Sequence, residues 1–323
     1  MELVTVVLLF ILGLILLIKG GDWFVDGATG LAHRFHLPEL LIGATVVSIG
    51  TTLPEVMVSA QAALANNSGI SYGNAIGSII CNTSLIAALT IAIRPSLVNK
   101  KTLRLPVTAF FIAAVFYALI AYTQGSFSRW QGIVLLCGFV TYMIVTVLQM
   151  KKNPDEAAAD EEEHKERALW LELVLLVVGA AAIAFGANLL VDNGTKIAAA
   201  LGVPDSVIGL TMVALGTSLP ELVTAITALA KGHSALSLGN IIGANLFNLV
   251  LVSGAAITIR PFQIPAEKTL NGINASLVVD LPVMFAVMLI LCIPSLVRGK
   301  LSRWQGILLL AIYVCFTAFQ FAM

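Results

Sequence analysis

Long apolar runs recur from one end of the chain to the other, with short polar stretches between them. Ten of these runs are long enough to cross roughly 30 Å of hydrocarbon as helices. They cover about 3–19, 37–65, 70–93, 105–122, 131–150, 168–190, 203–230, 236–259, 281–297 and 304–322. The pattern predicts an all-α integral membrane protein with ten transmembrane helices.

The same sequence pattern occurs twice along the chain, at an offset of 166 residues. GTTLPEV at 50–56 matches GTSLPEL at 216–222, and the Gly-Asn pair at 73–74 matches that at 239–240. Each copy contains five spans, an odd number, so the second copy enters the membrane from the opposite side and forms an inverted repeat. The predicted units are a first five-helix repeat (1–150), an acidic linker (151–167) and a second, inverted five-helix repeat (168–323).

The composition agrees with this class of protein and limits its chemistry. Of 323 residues, 59% are hydrophobic and 11% are charged, whereas soluble domains carry about 25% charged residues. The four histidines all fall in predicted loops, which excludes a histidine-based enzyme or haem centre within the spans. The spans also lack a nucleophile–base pair, so we predict that the protein is not an enzyme.

The distribution of Lys and Arg predicts how the helices are oriented in the membrane. With alternating spans, fourteen Lys and Arg residues fall on one side of the membrane and four on the other. Because cytoplasmic loops carry the excess of Lys and Arg, the side with fourteen is predicted to be cytoplasmic. Both termini then lie outside the plasma (inner) membrane, and the linker KKNPDEAAADEEEHKER lies inside. The linker lacks the ligand spacing of an EF-hand and is predicted to be a solvated connection.

The repeated motif places a proline one turn after a glycine within an apolar span. Pro54 has no N–H to bond the Gly50 carbonyl, and Pro220 has none for Gly216. Helices 2 and 7 are therefore predicted to break at the two motifs. Irregular backbone at membrane depth is tolerated where it lines a cavity or packs against protein, so the freed carbonyls become candidate ligands.

Each motif also carries an acid deep in the membrane. A charged side chain at the bilayer centre costs roughly 2.5–3.5 kcal/mol on insertion scales. Glu55 and Glu221 are the only acids deep in any span, and no Lys, Arg or His lies deep enough to pair with them. Their counter-charges are therefore predicted to be bound cations or protons.

The span after each motif adds further polar groups. Asn74, Ser78 and Asn82 form one stripe at four-residue spacing, and Asn240 and Asn248 repeat it. We predict that Asn82 and Asn248 are ligands, while Asn74 and Asn240 fit a ligand or an interhelical hydrogen bond equally well. Close helix packing is predicted at the small-residue pairs Gly73, Gly77, Gly239 and Gly243. All the candidate ligands are hard oxygens, which suit Ca²⁺ or Na⁺ and not zinc, copper or iron.

These motifs resemble the α-1 and α-2 repeats of the Na⁺/Ca²⁺ exchangers of the calcium/cation antiporter superfamily. The resemblance covers essentially the whole chain and is greatest to short prokaryotic members. It implies a secondary antiporter in which one central site is occupied by Na⁺ or Ca²⁺ in turn. It implies no cofactor other than the transported ions. The implied partners are those ions and membrane lipids, with no nucleic acid and no obligate protein partner.

The resemblance also implies which residues bind each ion. The Ca²⁺ residues are Thr51, Glu55, Thr217 and Glu221, with backbone carbonyls contributed at the threonines. The Na⁺ residues are Ser48, Thr51, Thr52, Glu55, Ser78, Asn82, Ala214, Thr217, Ser218, Glu221 and Asn248, with carbonyls near Ser48 and Ala214. Two positions depart from the family: Ala244 replaces a common serine, and Asn248 a common aspartate. Because K⁺-dependent relatives rely on that aspartate, K⁺ co-transport is not expected.

Two other transport functions stay open at this point. The two carboxylates could carry two protons in a Ca²⁺/H⁺ antiporter of the same superfamily. Those relatives usually bear an acid in the segment after Gly-Asn, where this chain has Ile76, Gly77 and Ser78. The same oxygens could also line a cation channel. Two inverted halves that enclose one site fit alternating access better than an open pore.

Overall fold

The computed structural model describes residues 2–152, 167–200, 216–266, 269–270 and 272–322. In these ranges the chain forms ten long helices, one for each predicted span. They are α1 Glu2–Arg34, α2 Glu39–Leu64, α3 Ser68–Ile93, α4 Lys100–Gln124, α5 Arg129–Lys152, α6 Leu169–Ala200, α7 Leu219–Ala230, α8 Ser234–Ile259, α9 Ser276–Arg298 and α10 Arg303–Ala322. Eight of the described helices, all but α7 and α10, are long and apolar enough to span a membrane. The first part of span 7 falls within residues 201–215, outside the described residues.

The fold is the predicted all-α membrane fold, with α1–α5 repeated in inverted form as α6–α10. The two helices that follow the motifs lie at its centre: 72% of the most apolar stretch of α3 and 83% of that of α8 are buried. The corresponding fractions are 17% for α1 and 22% for α5 and α6. The outer helices therefore present most of their apolar surface to lipid, and the motif-bearing helices pack around α3 and α8.

α1 is longer than the apolar run that predicts it. The run ends near residue 19, but the helix continues to Arg34 for 33 residues, about 50 Å. Its additional turns carry acids that find cationic partners on other helices. The Lys231 ammonium lies 2.7 Å from a carboxylate oxygen of Asp26, and the Arg167 guanidinium lies 3.4 Å from the other. These ion pairs connect the second half of α1 to the start of α6 and the end of α7.

α1 and α6 pack against each other in antiparallel orientation through glycines. A Cβ on Gly13 would lie 2.9 Å from the Gly186 carbonyl oxygen, and a Cβ on Gly20 would lie 3.0 Å from that of Gly179. The offset of 166 makes Gly13 equivalent to Gly179 and Gly20 equivalent to Gly186. The same contact therefore occurs twice, once at each end of the helix pair, which is the arrangement expected of an inverted repeat.

The α1–α6 contact predicts that Gly20→Ala destabilises the protein. The added methyl would meet backbone atoms of Gly179 and Ile183 at 2.9–3.0 Å, and overpacking of this kind costs about 1–3 kcal/mol. Gly138→Ala in α5 is the matched control, because its Cβ would meet only a side-chain atom at 3.8 Å. Thermal unfolding in detergent should show a lower melting temperature for Gly20→Ala only. Equal melting temperatures for the two variants would contradict tight packing of α1 on α6.

Short strands in the loops repeat the same symmetry. β1 (Ser126–Phe127) pairs antiparallel with β2 (Phe262–Gln263), with Ser126 opposite Gln263. Leu97 forms an antiparallel bridge with Lys300, and these two positions are the repeat equivalents of Gln263 and Ser126. β3 (Thr269–Leu270) and β4 (Ile273–Asn274) form a separate hairpin before α9. Each half thus contributes one loop segment to each of the two inter-half pairings.

The predicted helix break is present in helix 7 but is wrong for helix 2. Thr217 and Ser218 form a turn, and α7 begins at Leu219 with proline in its first turn. α2 instead stays helical through its motif, and its irregular segment is a π-helical stretch at Gly43–Val47. Hydroxyl groups bond carbonyls of that stretch: Ser48 donates to Gly43 at 2.8 Å and Tyr142 to Ala44 at 3.1 Å. The backbone distortion therefore lies about two to three turns before the proline, and the loss of one hydrogen bond at Pro54 does not end the helix.

Candidate cation-binding site

Glu55 and Glu221 are the two acids of the candidate site, and one comes from each half. Both side chains are completely buried, and neither carboxylate has a hydrogen-bond partner among the described residues. Glu55 lies on α2 and Glu221 on α7, and these two helices contact each other. Burial of an unpaired charge is strongly unfavourable, so this arrangement requires protons or cations between the two groups.

Four more predicted ligands share this combination of burial and missing partners. Each is at most 2% exposed and has a side-chain oxygen with no hydrogen-bond partner in the described part of the chain. They are Thr52, Asn82, Ser218 and Asn248. Buried polar groups in folded proteins are nearly always hydrogen-bonded, so unsatisfied oxygens on the two motif segments and on the helices packed against them indicate a candidate ligand site.

The central helices bring these side chains together across the two halves. Asn82 and Asn248 each begin a π-helical segment, Asn82–Ala87 in α3 and Asn248–Ser253 in α8, at equivalent positions of the repeat. The segment of α3 packs against α7, which carries Glu221, and the segment of α8 packs against α2, which carries Glu55. Each half therefore supplies an amide to the neighbourhood of the other half's carboxylate.

Thr51 and Ser48 precede Glu55 on α2, and the hydroxyls of both residues contact Asn240 of α8. The Thr51 hydroxyl donates to the Asn240 side-chain oxygen at 3.2 Å. The Ser48 hydroxyl lies 2.9 Å from the Asn240 carbonyl oxygen, in addition to its bond to Gly43. Both residues are buried, and their hydroxyl lone pairs and backbone carbonyls are the groups left to bind a cation.

The other predicted site residues differ from one another in burial and in position. Ser78 is buried in α3, whereas Thr217 is only partly buried, in the turn before α7. Ala214 lies outside the described residues. The motif glycines lie beneath the outer helices: a Cβ on Gly50 would touch the Phe24 ring of α1 at 2.9 Å. A Cβ on Gly216 would lie 2.7 Å from the Val191 side chain of α6.

The glycine pairs differ in what surrounds them. A Cβ on Gly239 would overlap the Leu40 carbonyl, and one on Gly243 would overlap the Ser48 hydroxyl, so α8 approaches α2 as closely as backbones allow. A Cβ on Gly73 or Gly77 meets no described atom within 4 Å. By the repeat, the partners of these two glycines would fall within residues 201–215, outside the described residues, and their packing role stays a prediction.

Two asparagines that the sequence left open have definite partners. Asn240 accepts the hydrogen bond of the Thr51 hydroxyl, and both of its oxygens lie within reach of the Ser48 hydroxyl. Asn74 donates instead, to the Glu55 carbonyl oxygen at 3.0 Å and to the Ser59 hydroxyl at 2.8 Å. Sequence reasoning did not single out Ser59, and the only signal was its four-residue spacing after Glu55 on the same helix face.

The donors of the site are carboxylate, hydroxyl, amide and carbonyl oxygens. Ca²⁺ takes six to eight oxygen ligands in flexible geometry, and hard oxygens suit Na⁺ equally. Two carboxylates neutralise one Ca²⁺ or two Na⁺. The arrangement can therefore hold these ions in a dry interior, where unpaired charges would otherwise be unstable.

Comparisons with known proteins agree with this chemistry. The sequence model of a family described as sodium/calcium exchanger protein matches residues 5–148 and 171–322. The chain is 31% identical to the sodium/calcium exchanger MaX1 of Methanosarcina acetivorans, over 97% of this chain and 98% of that protein. It is 33% identical to the putative antiporter CaxA of Alkalimonas amylolytica, over 94% and 95%. A solved structure of the sodium-calcium exchanger NCX_Mj superposes with a TM-score of 0.82 at 36% identity, over 98% of this chain and 99% of that one.

Proposed function

The chain belongs to the sodium/calcium exchanger family, and from this premise we propose that it is a secondary antiporter that exchanges Na⁺ for Ca²⁺ across the membrane. The observation that carries the proposal is the pair of buried carboxylates, Glu55 and Glu221, whose oxygens have no protein partner among the described residues. Their two negative charges match one Ca²⁺, and monovalent cations can replace that ion at the same oxygens.

Residues of both halves take part in the proposed site. Glu55 and Glu221 bind Ca²⁺ together with Thr51 and Thr217. Further oxygens complete the Na⁺ sites, and they come from Ser48, Thr52, Ser78, Asn82, Ala214, Ser218 and Asn248. Asn82 and Asn248 each carry an unsatisfied buried amide oxygen at equivalent positions of the two central helices, which supports their role as neutral ligands.

We propose alternating access as the transport mechanism. Two inverted halves that enclose one site can open it to either side by rocking against each other. The proposed site is built from α2, α3, α7 and α8. α1 contacts the first motif glycine through Phe24, and α6 contacts the second through Val191. The NCX_Mj structures, similar over the whole chain, are described as showing extracellular ion exchange and induced binding-site occlusion in that protein.

The proposed orientation follows from the distribution of Lys and Arg. Both termini lie outside the cell, and the linker 151–167 lies in the cytoplasm. The ion pairs of Lys231 and Arg167 with Asp26 then lie at the cytoplasmic membrane surface. Placement there fits charged groups that are partly exposed to water and not buried in hydrocarbon.

Transport by purified protein in sealed vesicles tests the function directly. We expect an outward Na⁺ gradient to drive accumulation of radioactive Ca²⁺, with no requirement for K⁺. A pH gradient alone should drive none, since Na⁺ and not H⁺ is the proposed counter-ion. Accumulation driven by the pH gradient would instead favour a Ca²⁺/H⁺ antiporter. Entry that is independent of both gradients would favour a channel.

A further inference from the structure

Asn240 of α8 contacts Ser48 and Thr51, two proposed cation ligands in one turn of α2. Its side-chain oxygen accepts a hydrogen bond from the Thr51 hydroxyl at 3.2 Å. The Ser48 hydroxyl has a single hydrogen and three acceptors within reach: the Gly43 carbonyl at 2.8 Å, the Asn240 carbonyl at 2.9 Å and the Asn240 side-chain oxygen at 3.3 Å. Asn240 is completely buried, so water does not compete for these bonds.

The glycines around Asn240 make this connection possible. Gly239 precedes Asn240, and a Cβ there would overlap the Leu40 carbonyl. Gly243 follows one turn later, and a Cβ there would overlap the Ser48 hydroxyl. The two helix backbones therefore meet directly on both sides of Asn240, and its short side chain reaches the α2 hydroxyls without a gap.

We infer that Asn240 is a positioning residue that sets the orientation of Thr51 and Ser48 toward the transported cation. A hydroxyl that binds a cation must direct its hydrogen elsewhere, because the cation takes the oxygen lone pairs. The Asn240 oxygen accepts the Thr51 hydrogen and so leaves the lone pairs free. The same bonds hold the backbone turn from Ser48 to Thr51, whose carbonyls are proposed ligands. Groups in contact with ligands commonly tune a metal site in this way. The inference rests on the proposed function.

The repeat equivalent of Asn240 does not duplicate this role. Asn74 donates its hydrogens to the Glu55 carbonyl and Ser59, and the position equivalent to Ser48 is Ala214, which has no hydroxyl. In the described part of the chain, Asn240 is therefore the asparagine that accepts a hydrogen from a proposed ligand. Loss of the acceptor at Asn240 should affect cation affinity through the first-half residues Ser48 and Thr51.

Asn240→Leu tests the inference by removing the acceptor while keeping the side-chain size. We expect the half-saturating Ca²⁺ concentration for Na⁺-driven uptake to rise about tenfold, with a smaller change in the maximal rate. The stabilisation of the purified protein by Ca²⁺ should need the same higher concentration, which reports binding apart from transport. Asn240→Asp, which keeps an acceptor oxygen, should bind Ca²⁺ no more weakly than the wild type.

Asn245→Leu on the same helix is the matched control. Asn245 is equally buried, but its amide donates at 2.7 Å to Thr83 and at 3.2 Å to Met288, in the apolar core. This variant should lower the melting temperature without changing the half-saturating Ca²⁺ concentration. If both asparagine variants lower stability and neither changes Ca²⁺ affinity, Asn240 is merely structural and the inference is wrong. Asn240→Ala removes the same acceptor should the leucine variant fail to fold.

A double-mutant cycle decides whether Asn240 acts through the two hydroxyls. In a Ser48→Ala, Thr51→Val background the acceptor has no hydrogen to receive, so adding Asn240→Leu should cause no further loss of Ca²⁺ affinity. A further tenfold loss in that background would overturn the inference. Failure of the proposed function is distinguishable, because the wild-type protein itself would then show no Na⁺-driven Ca²⁺ uptake.

Discussion

Glu55→Gln or Glu221→Gln is expected to reduce Na⁺-driven Ca²⁺ uptake by roughly a hundredfold or more, because one lost charge in a low-dielectric site is worth several kcal/mol. Glutamine keeps the shape of the side chain but leaves Ca²⁺ with a single carboxylate. The measurement is radioactive Ca²⁺ uptake into vesicles that contain equal amounts of wild-type or variant protein.

Stability separates a ligand role from a structural one in these variants. The two carboxylates are buried without hydrogen-bond partners among the described residues, so removal of one charge should not destabilise the cation-free protein. Stabilisation by added Ca²⁺ should disappear in both variants. Wild-type uptake by either variant would show that the site has been assigned to the wrong residues.

Glu172→Gln provides the matched control for a buried acid outside the site. Glu172 is also buried, but its carboxylate lies 3.2 Å from the Arg34 guanidinium at the junction of α1 and α6. Its neutralisation leaves Arg34 without its carboxylate partner and should lower the melting temperature while Na⁺-driven uptake persists. A glutamate that binds the cation should lose transport and keep its stability when neutralised. A structural glutamate should keep transport and lose stability.

Ca²⁺ accumulation is expected to depend on voltage, because we propose that three Na⁺ exchange for one Ca²⁺. Uptake then moves one net positive charge out of the vesicle, and each 100 mV changes the driving force by roughly 2.3 kcal/mol. An inside-positive potential should therefore raise accumulation about tenfold for each 60 mV or so. The potential is set with K⁺ and valinomycin while the Na⁺ gradient is held constant, and protein-free vesicles serve as the control.

The stoichiometry decides how far the exchanger can lower a Ca²⁺ concentration. A tenfold Na⁺ gradient contributes about 1.4 kcal/mol for each ion. Three Na⁺ with 100 mV give about 6.5 kcal/mol, nearly five decades of Ca²⁺ gradient, whereas two Na⁺ without voltage give only about two decades. Accumulation that is the same at every potential would mean that Ala244, which lacks the hydroxyl of many relatives, has removed one Na⁺ position. Ala244→Ser should then introduce the voltage dependence.

The parts of the fold set by local chemistry could be predicted from the sequence. Apolar runs specify spans because only helices satisfy their own backbone groups in lipid, and the repeat specifies two inverted halves. The path of α2 could not be predicted, because Pro54 alone suggests a break. The hydroxyls that bond the carbonyls of the π-helical stretch belong to Ser48 and to Tyr142 of a distant helix. Only tertiary packing brings Tyr142 to that turn.

The acids of the candidate site could be predicted from the sequence, but its hydrogen bonds could not. Glu55 and Glu221 are identified by the cost of charge at membrane depth, a property of each residue alone. The opposite roles of Asn74 and Asn240 depend on which helix each one faces. The sequence contained one sign of this difference, since Ser48 has a hydroxyl at the position where the second half has Ala214.

The antiparallel contact of α1 with α6 has a consequence for half of the chain on its own. Gly13 contacts Gly186, and its repeat equivalent Gly179 contacts Gly20. α1 and α6 therefore contribute equivalent surfaces to the contact, as the two subunits of an isologous dimer do. The β1–β2 pairing and the Leu97–Lys300 bridge are exchanged by the same two-fold operation. One five-helix half therefore carries both sides of its own interface. A five-helix half produced on its own and inserted into the membrane in both orientations would have the complementary surfaces needed to assemble as an antiparallel homodimer.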